Sequence, residues 1–412
     1  MNRTIAVTGT KGKTTVVRLL DFVFRQLGDD VLRVDTSGAY LNDERKVSDE
    51  ESRRLWGFAS TNAPGRFLYL LNSDKSSTAI LECTLFCANE GVGLGYKHHN
   101  VGIFTNVFDD HLGSKDDLRT RDDIARKKSL IFKQIAPGGT ALYNVDDPYV
   151  TEQLSVVPEG IDITTIGITL SEAPAKGVYC RVSHEDIAIV QNGVVITSHV
   201  LSAFSWLAVG HEPSRYSLGF VYAALFASLS ETDFQKAVEA LKTYHYDQDG
   251  GRMVEIVTKG PKIILDFAHE KYSLKALAEY AKSLTEDSGR VIGVVRLAPS
   301  RTDELIDDTA EFIATAFDSF VVYDKVDGHW RKPGLVKGYV DRYEEVGRIA
   351  NRFAAALHGA GVNAVVRIRE DEAIKEAIAT ATPADVIVYI VNDDSKRSRQ
   401  FLDDALRQKG WS

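Results

Sequence analysis

The stretch Ile5-Ala6-Val7-Thr8-Gly9-Thr10-Lys11-Gly12-Lys13-Thr14-Thr15 stands almost at the start of the chain. A short apolar run breaks into a glycine-containing turn. The residues after it have the period of an amphipathic helix, with Val16, Val17, Leu19, Leu20, Val23 and Phe24 on one stripe. Strand, turn and helix in that order make a phosphate cradle. Backbone N–H groups from Gly9 through Thr15 face an anion, Lys13 adds a positive charge, and the Thr14 hydroxyl is placed to ligate Mg²⁺. The turn is a compact G-T-x-G-K-T-T variant, because Val7 stands where the common eight-residue P-loop carries glycine. The expected ligand is a nucleoside triphosphate.

Working outward, 412 residues of which 44% are hydrophobic suffice for two sizeable cores. A net charge of −9 argues against nucleic acid as a general partner, since that would need a basic face to displace counterions. Cys83, Cys87 and Cys180 neither pair evenly nor take a metal spacing, which fits free thiols in a reducing compartment. With no signal peptide and no apolar run of spanning length, the expectation is a cytoplasmic protein with no membrane partner.

Strand-like runs at residues 5–8, 31–34, 78–82, 101–105 and 140–144 alternate with helical patterns such as 121–134, which predicts a mostly parallel sheet covered by helices. From 163 to 200 shorter alternating strands, with an Asn192-Gly193 turn, read as a small antiparallel insert. Helices follow at 217–229 and 231–243. Strands at 253–257, 262–266, 290–295, 320–323, 364–368 and 386–390 then predict a second, Rossmann-like unit. The predicted fold is therefore α/β, with a P-loop domain at 1–249 and a second α/β domain at 250–412.

In such sheets ligands sit at the carboxyl ends of strands, where Gly9, Glu82 and Thr105-Asn106 fall. A carboxylate at a strand terminus facing a phosphate loop is a natural metal ligand, which singles out Glu82. The segment from Phe104 to Gly113 delivers Asp109, Asp110 and His111 to the same region, although the acidic pair also suits a helix cap.

Gly9-Thr10-Lys11-Gly12-Lys13-Thr14-Thr15, strand-end Glu82, Thr105-Asn106 with Asp110-His111-Leu112-Gly113, Gly251-Arg252-Met253 and Asp266-Phe267-Ala268-His269 occur in an order that resembles the Mur ligase superfamily. Asp35-Thr36-Ser37-Gly38-Ala39-Tyr40, Asn144-Val145-Asp146-Asp147-Pro148 and Pro299-Ser300-Arg301-Thr302-Asp303-Glu304 look most like the C-terminal, muramyl-ligase-type half of cyanophycin synthetases. The similarity covers essentially the whole chain.

This resemblance implies an ATP-dependent, ADP-forming ligase that joins a carboxylate to an amine through an acyl phosphate and then a tetrahedral intermediate. The partners implied are a small or peptide-like carboxylate acceptor and an amino-acid amine. Arginine addition to an aspartate side chain is one candidate, and muramyl-type or poly-γ-glutamate-type ligation is the nearest rival. Carried over by position, Lys13 contacts the β- and γ-phosphates and Thr14 the first Mg²⁺, while Glu82 and His111 hold a second metal. Lys128 falls where many relatives keep a carbamylated lysine, or else is an ordinary surface lysine beside Lys127. In relatives the second domain closes over the nucleotide. Arg252 would then reach the phosphates, Asp266 and His269 would face the ribose and γ-phosphate side, and Arg301 and Asp303 would face the acceptor. Asp303 equally suits a helix start.

Three features depart from the pattern. Glu270-Lys271 replace the usual Asn-Pro, and the stretch 210–222 offers His211, Ser214, Arg215 and Tyr216 in place of base-contacting asparagines. The chain also starts at the P-loop, without a nucleotide-sugar or ATP-grasp domain, so both alternating additions of a cyanophycin-type synthesis are not expected of it alone. These departures keep a nucleotide-binding pseudo-ligase or partner subunit as an alternative, with a plain P-loop ATPase or kinase as a third reading and a homo-oligomer left open.

Overall fold

Around Arg3–Thr8 (β1) the described residues build an eleven-stranded sheet. The computed structural model describes residues 3–70, 77–87, 94–109, 118–159, 162–247, 251–286, 288–298, 301–325, 346–392 and 394–412, without the side chains of Tyr69 and Phe86. Asp110 and His111 therefore lie outside the described residues. The chain divides into two compact units, Met1–Tyr244 and His245–Ser412.

After β1 the strands of the first unit are β2 (Val31–Asp35), β3 (Gly38–Leu41), β4 (Glu44–Ser48), β5 (Thr78–Glu82), β6 (His99–Phe104), β7 (Ile135–Asn144), β8 (Thr164–Thr169), β9 (Val178–Val182), β10 (Asp186–Gln191) and β11 (Val194–Val200). Their order is β11-β10-β9-β8-β7-β6-β1-β5-β2-β3-β4. From β2 through β9 every neighbouring pair in that order is parallel, which requires crossovers and explains the intervening helices. Ala6, Val34, Leu81, Phe104 and Ala141 meet Ile124, Ile131 and Phe132 in one buried cluster. Each such large side chain contributes about 1.5–3 kcal/mol relative to exposure.

The expected antiparallel insert is part of this same sheet. Strands β9, β10 and β11 pair antiparallel, with the β10–β11 turn at Asn192 and Gly193, both with positive φ, but β8 runs parallel to β7 and β9 parallel to β8, so the insert continues the main sheet. Alternation alone cannot report strand direction. A second hairpin, β3–β4, was not expected. It turns on Asn42 and Asp43, held at positive φ, while Asn42 Oδ1 accepts from Val31 N and Asp43 pairs with Arg33. The predicted helix 121–134 is two helices, Arg121–Lys128 and Leu130–Lys133, broken at Ser129, whose hydroxyl donates to Arg126 O.

Two buried imidazoles tie this unit to pH. His99 lies between Tyr96 Oη (3.2 Å to Nδ1) and Ile131 O (2.7 Å from Nε2), and burial drives it down to about 4. His211 is driven down to about 3 by the same cause. Both are charged more easily in the unfolded chain, near 6.5, so the stability they confer is complete above that pH and is lost as pH falls toward 4 and 3. Urea unfolding of this unit should lose about 3 kcal/mol between pH 6.5 and 5, about half of it removed by His211→Asn.

The second unit has a six-stranded sheet of β12 (Val254–Ile256), β13 (Lys262–Asp266), β14 (Val291–Val295), β15 (Ser319–Val322), β16 (Ala364–Val366) and β17 (Val386–Ile390), in the order β12-β13-β17-β14-β15-β16. Only β12 is antiparallel to its neighbour. Leu265, Val294, Val321 and Tyr389 pack against Ile374, Ile378, Leu402 and Leu406. Glu270, which departs from the family pattern, caps the helix Lys271–Leu284 by accepting from Tyr272 N (2.9 Å) and Ser273 N (2.7 Å). Glu270→Ala should cost about 1 kcal/mol and lower the melting of this unit by about 2–4 °C in calorimetry.

Candidate active site

The phosphate turn joins β1 to the helix Lys13–Gln26, which buries Val16, Val17, Leu19, Leu20, Val23 and Phe24. Gly12 is its N-cap at φ 82, so no side chain covers the first N–H groups, which stay available to an anion. Lys13 Nζ donates to Thr10 O at 3.0 Å, folding the side chain back along the turn.

The segment after β6 clamps the turn. Asn106 Oδ1 accepts from Lys11 N (2.8 Å) and Thr10 N (3.2 Å), Thr105 Oγ1 donates to Lys11 O (2.6 Å), and Phe108 N donates to Thr10 Oγ1 (3.1 Å). Gly9, at φ 138, faces Thr105 so closely that an added Cβ would lie 1.9 Å from its Oγ1. The clamp is itself fixed by Asp147, which accepts from Val107 N at 2.7 Å and caps a helical turn through Tyr149 N. Asp109 pairs with Arg121 through both carboxylate oxygens.

Glu82 ends β5 in register with Val7 of β1, and its Oε2 accepts from Thr14 Oγ1 at 2.9 Å. Two hard oxygen donors beside the phosphate turn suit Mg²⁺. Lys128 is 5% exposed, and its Nζ donates to Gly9 O at 2.7 Å. It is a buried part of the turn, which removes the surface-lysine alternative. The helix end at Ser129 aims it there, and sequence period alone could not show that. Behind the site Arg18 donates to Asp35 (3.1 Å) and Ser37 Oγ (2.8 Å). Burial pushes the Asp35 carboxyl up, but Arg18, Arg33 and the Ser37 bonds outweigh it and hold it below the usual range.

Of the residues considered for the base, His211 Nδ1 meets Ser214 Oγ at 2.7 Å and Tyr216 Oη donates to Asp146 Oδ2 at 2.7 Å. Arg215 is buried, with Nη1 3.5 Å from Ser183 O.

In the second unit Asp266 spends both oxygens on backbone, accepting from Met253 N (2.9 Å) and Ala268 N (2.8 Å). His269 Nδ1 lies 3.0 Å from Phe267 O, to which it donates. Arg252 stands over the Phe267 ring at 5.4 Å. Arg301 Nη2 lies 3.5 Å from His269 O, while Asp303 is the first residue of the helix Asp303–Ile313 and pairs with Arg348 at 2.7 Å. Thr105 and Asp147 stand in motifs read from the sequence, but their roles as clamps were not, and the buried Arg296 was not singled out at all. The Asp147-Pro148 dipeptide, an N-cap before a helix-starting proline, was the available signal for one of them. Among the described residues there is no group of three metal-ligating side chains and no helix long and apolar enough to cross a membrane.

Two family descriptions match the chain: the Mur ligase middle domain over residues 7–204 and the Mur ligase glutamate ligase domain over residues 251–390. Cyanophycin synthetase of Trichormus variabilis is 26% identical over 407 residues, 97% of this chain and 42% of that protein. The chain thus spans less than half the length of that relative. A UDP-N-acetylmuramoyl-L-alanyl-D-glutamate–2,6-diaminopimelate ligase of Parabacteroides distasonis is 25% identical over 388 residues, covering 93% of this chain and 71% of its own. Among solved structures, E. coli FolC in complex with DHPP and ADP superimposes with a TM-score of 0.66 at 18% identity, over 98% of this chain and 89% of that one.

Proposed function

The chain belongs to the Mur ligase superfamily, and from that premise we propose that it is an ATP-dependent, ADP-forming ligase that joins a carboxylate to an amine. The observation that carries this reading is the Thr14–Glu82 contact beside a clamped phosphate turn, which sets hard oxygen ligands next to the position of a triphosphate.

A carboxylate is a poor electrophile because its delocalised negative charge repels the amine. Attack of its oxygen on the γ-phosphorus of ATP, with departure of ADP, gives an acyl phosphate. The amine then adds to the acyl carbon, phosphate leaves, and the amine nitrogen gives up a proton. Catalysis of both steps is positioning and charge neutralisation. The turn's N–H groups and Lys13 hold the β- and γ-phosphates, and Asn106 and Thr105 keep the turn rigid. Lys128 pins the Gly9 carbonyl away from the phosphates, and its carbamylation belongs to the same proposal. Thr14 and Glu82 would hold Mg²⁺, which when bound would neutralise charge on the phosphoryl oxygens. We assign Arg252, Asp266 and His269 to the nucleotide and Arg301 and Asp303 to acceptor recognition, with His111 as a metal ligand. The acceptor is amino-acid-like or peptide-like, and the amine is an amino acid.

The test is incubation with ATP, Mg²⁺ and pools of amino acids and short peptides, reading phosphate, ADP and hydroxamate formed with hydroxylamine. Acceptor-dependent phosphate release with hydroxamate is expected. Tight ATP binding without turnover in any pool, or hydrolysis indifferent to acceptor, overturns the reading.

A further inference from the structure

Arg296 follows β14 and has no exposed surface, the largest fully buried side chain among the described residues. Nη2 donates to Val391 O at 2.9 Å, whereas Nε and Nη1 have no hydrogen-bond partner among the described residues. The carboxylate of its neighbourhood, Glu370, is engaged elsewhere: Oε1 accepts from Tyr389 Oη (2.9 Å), Ser398 Oγ (2.5 Å) and Asn392 N (3.2 Å). Tyr323 Oη, beside the guanidinium, lies 2.6 Å from the Ile390 carbonyl to which it donates. Burying an ion is costly, and the Phe267 ring, 4.7 Å from the guanidinium carbon, offsets only part of that cost.

A second observation points the same way. Arg252 (5.4 Å) and Lys325 (5.6 Å) approach the same ring, so three cations gather around one aromatic side chain. Phe267, Arg296 and Lys325 follow β13, β14 and β15, at the carboxyl ends where open α/β sheets receive ligands. Arg252 precedes the antiparallel β12 and so reaches that end too. Phe267 itself is half-buried and forms the side open to solvent.

We propose that the second unit holds an oxyanion subsite with Arg296 as its floor and Phe267, Arg252 and Lys325 as its wall, taking a carboxylate or a phosphate group. The bound anion supplies the acceptors that Nε and Nη1 lack among the described residues. The subsite does not rest on the ligase reading, and its test omits ATP.

Hydrogen–deuterium exchange of the full chain is followed with inorganic phosphate in one arm, acetate in the other and sodium chloride at matched ionic strength as reference. Peptides covering residues 291–298 and 386–392 report the subsite, and a peptide covering 3–26 reports the phosphate turn separately. At about ten times its dissociation constant a bound anion should slow exchange in the first pair by about tenfold. Slowing with one anion alone identifies that class, and slowing with both identifies a general oxyanion site. In Arg296→Met the slowing should vanish there and persist in peptide 3–26, and without anion the variant should melt no lower than the parent. Absence of slowing in both arms for the parent, or equal slowing in Arg296→Met, overturns the proposal. Should that variant fail to fold, Arg296→Lys, which keeps the charge but loses the fork, must need more anion for half-saturation, and an unchanged requirement also overturns it.

Discussion

Gly9→Ala is expected to weaken nucleotide binding by at least about 100-fold, on the order of 3 kcal/mol, while the protein stays folded. Its φ of 138 is a conformation that a side chain strains, and the new Cβ would sit 1.9 Å from Thr105 Oγ1 and 3.0 Å from Asn106 N. The clash has no cheap relief. Moving Thr105 breaks its bond to Lys11 O, and moving the Asn106 backbone disturbs the acceptor of Lys11 N and Thr10 N. Titration calorimetry with a non-hydrolysable ATP analogue measures the loss, with circular dichroism as the control for folding. The double variant Gly9→Ala/Thr105→Ala should recover only part of the affinity, because the strain and the Asn106 contact remain. Affinity within about threefold of the parent for the single variant would show that this turn is not the phosphate site.

The second large effect is expected from Glu82→Gln. The amide oxygen can still accept from Thr14 Oγ1 at the observed 2.9 Å, so the local packing of β5 against β1 is kept. What disappears is the negative charge that a divalent cation needs beside the triphosphate. Turnover should fall by about 10²–10³, roughly 3–4 kcal/mol of transition-state stabilisation, and the Mg²⁺ concentration for half-maximal rate should rise at least about tenfold. Glu82 is 1% exposed, so apo stability should be unchanged or slightly higher once its charge no longer has to be desolvated. A parent-like Mg²⁺ dependence would place the metal elsewhere. A large fall in melting temperature would mean that the carboxylate is a structural group.

The phosphate turn was legible because its chemistry is local. Gly9, Gly12, Lys13 and Thr14 occupy a few consecutive positions between a strand and an amphipathic helix, and both flanking elements are present as read. Glu82 stood out less, since a carboxylate at a strand end suits a metal ligand only once its neighbours are known, and its contact with Thr14 is a tertiary one. The β3–β4 hairpin was not legible: Asn42-Asp43 is a weak turn signal, and its positive φ values are held by Val31, Arg25 and Arg33 from outside the hairpin. Lys128 and Lys127 are indistinguishable by composition, yet one is buried on Gly9 O and the other is not.

By itself the amino-acid order determined an α/β chain with two parallel-sheet units, a glycine-containing turn between a strand and an amphipathic helix, and a carboxylate at a strand end. These follow from short-range periodicity and from turn chemistry, which act over a few residues. Only the tertiary structure decided that β8 and β9 extend the main sheet, that Asn106 and Thr105 clamp a turn about 95 residues earlier, and that Arg296 is a buried cation with unfilled donors. Direction of pairing, a neighbour distant in sequence and the loss of water around a charge are properties of packing, and no window along the chain contains them.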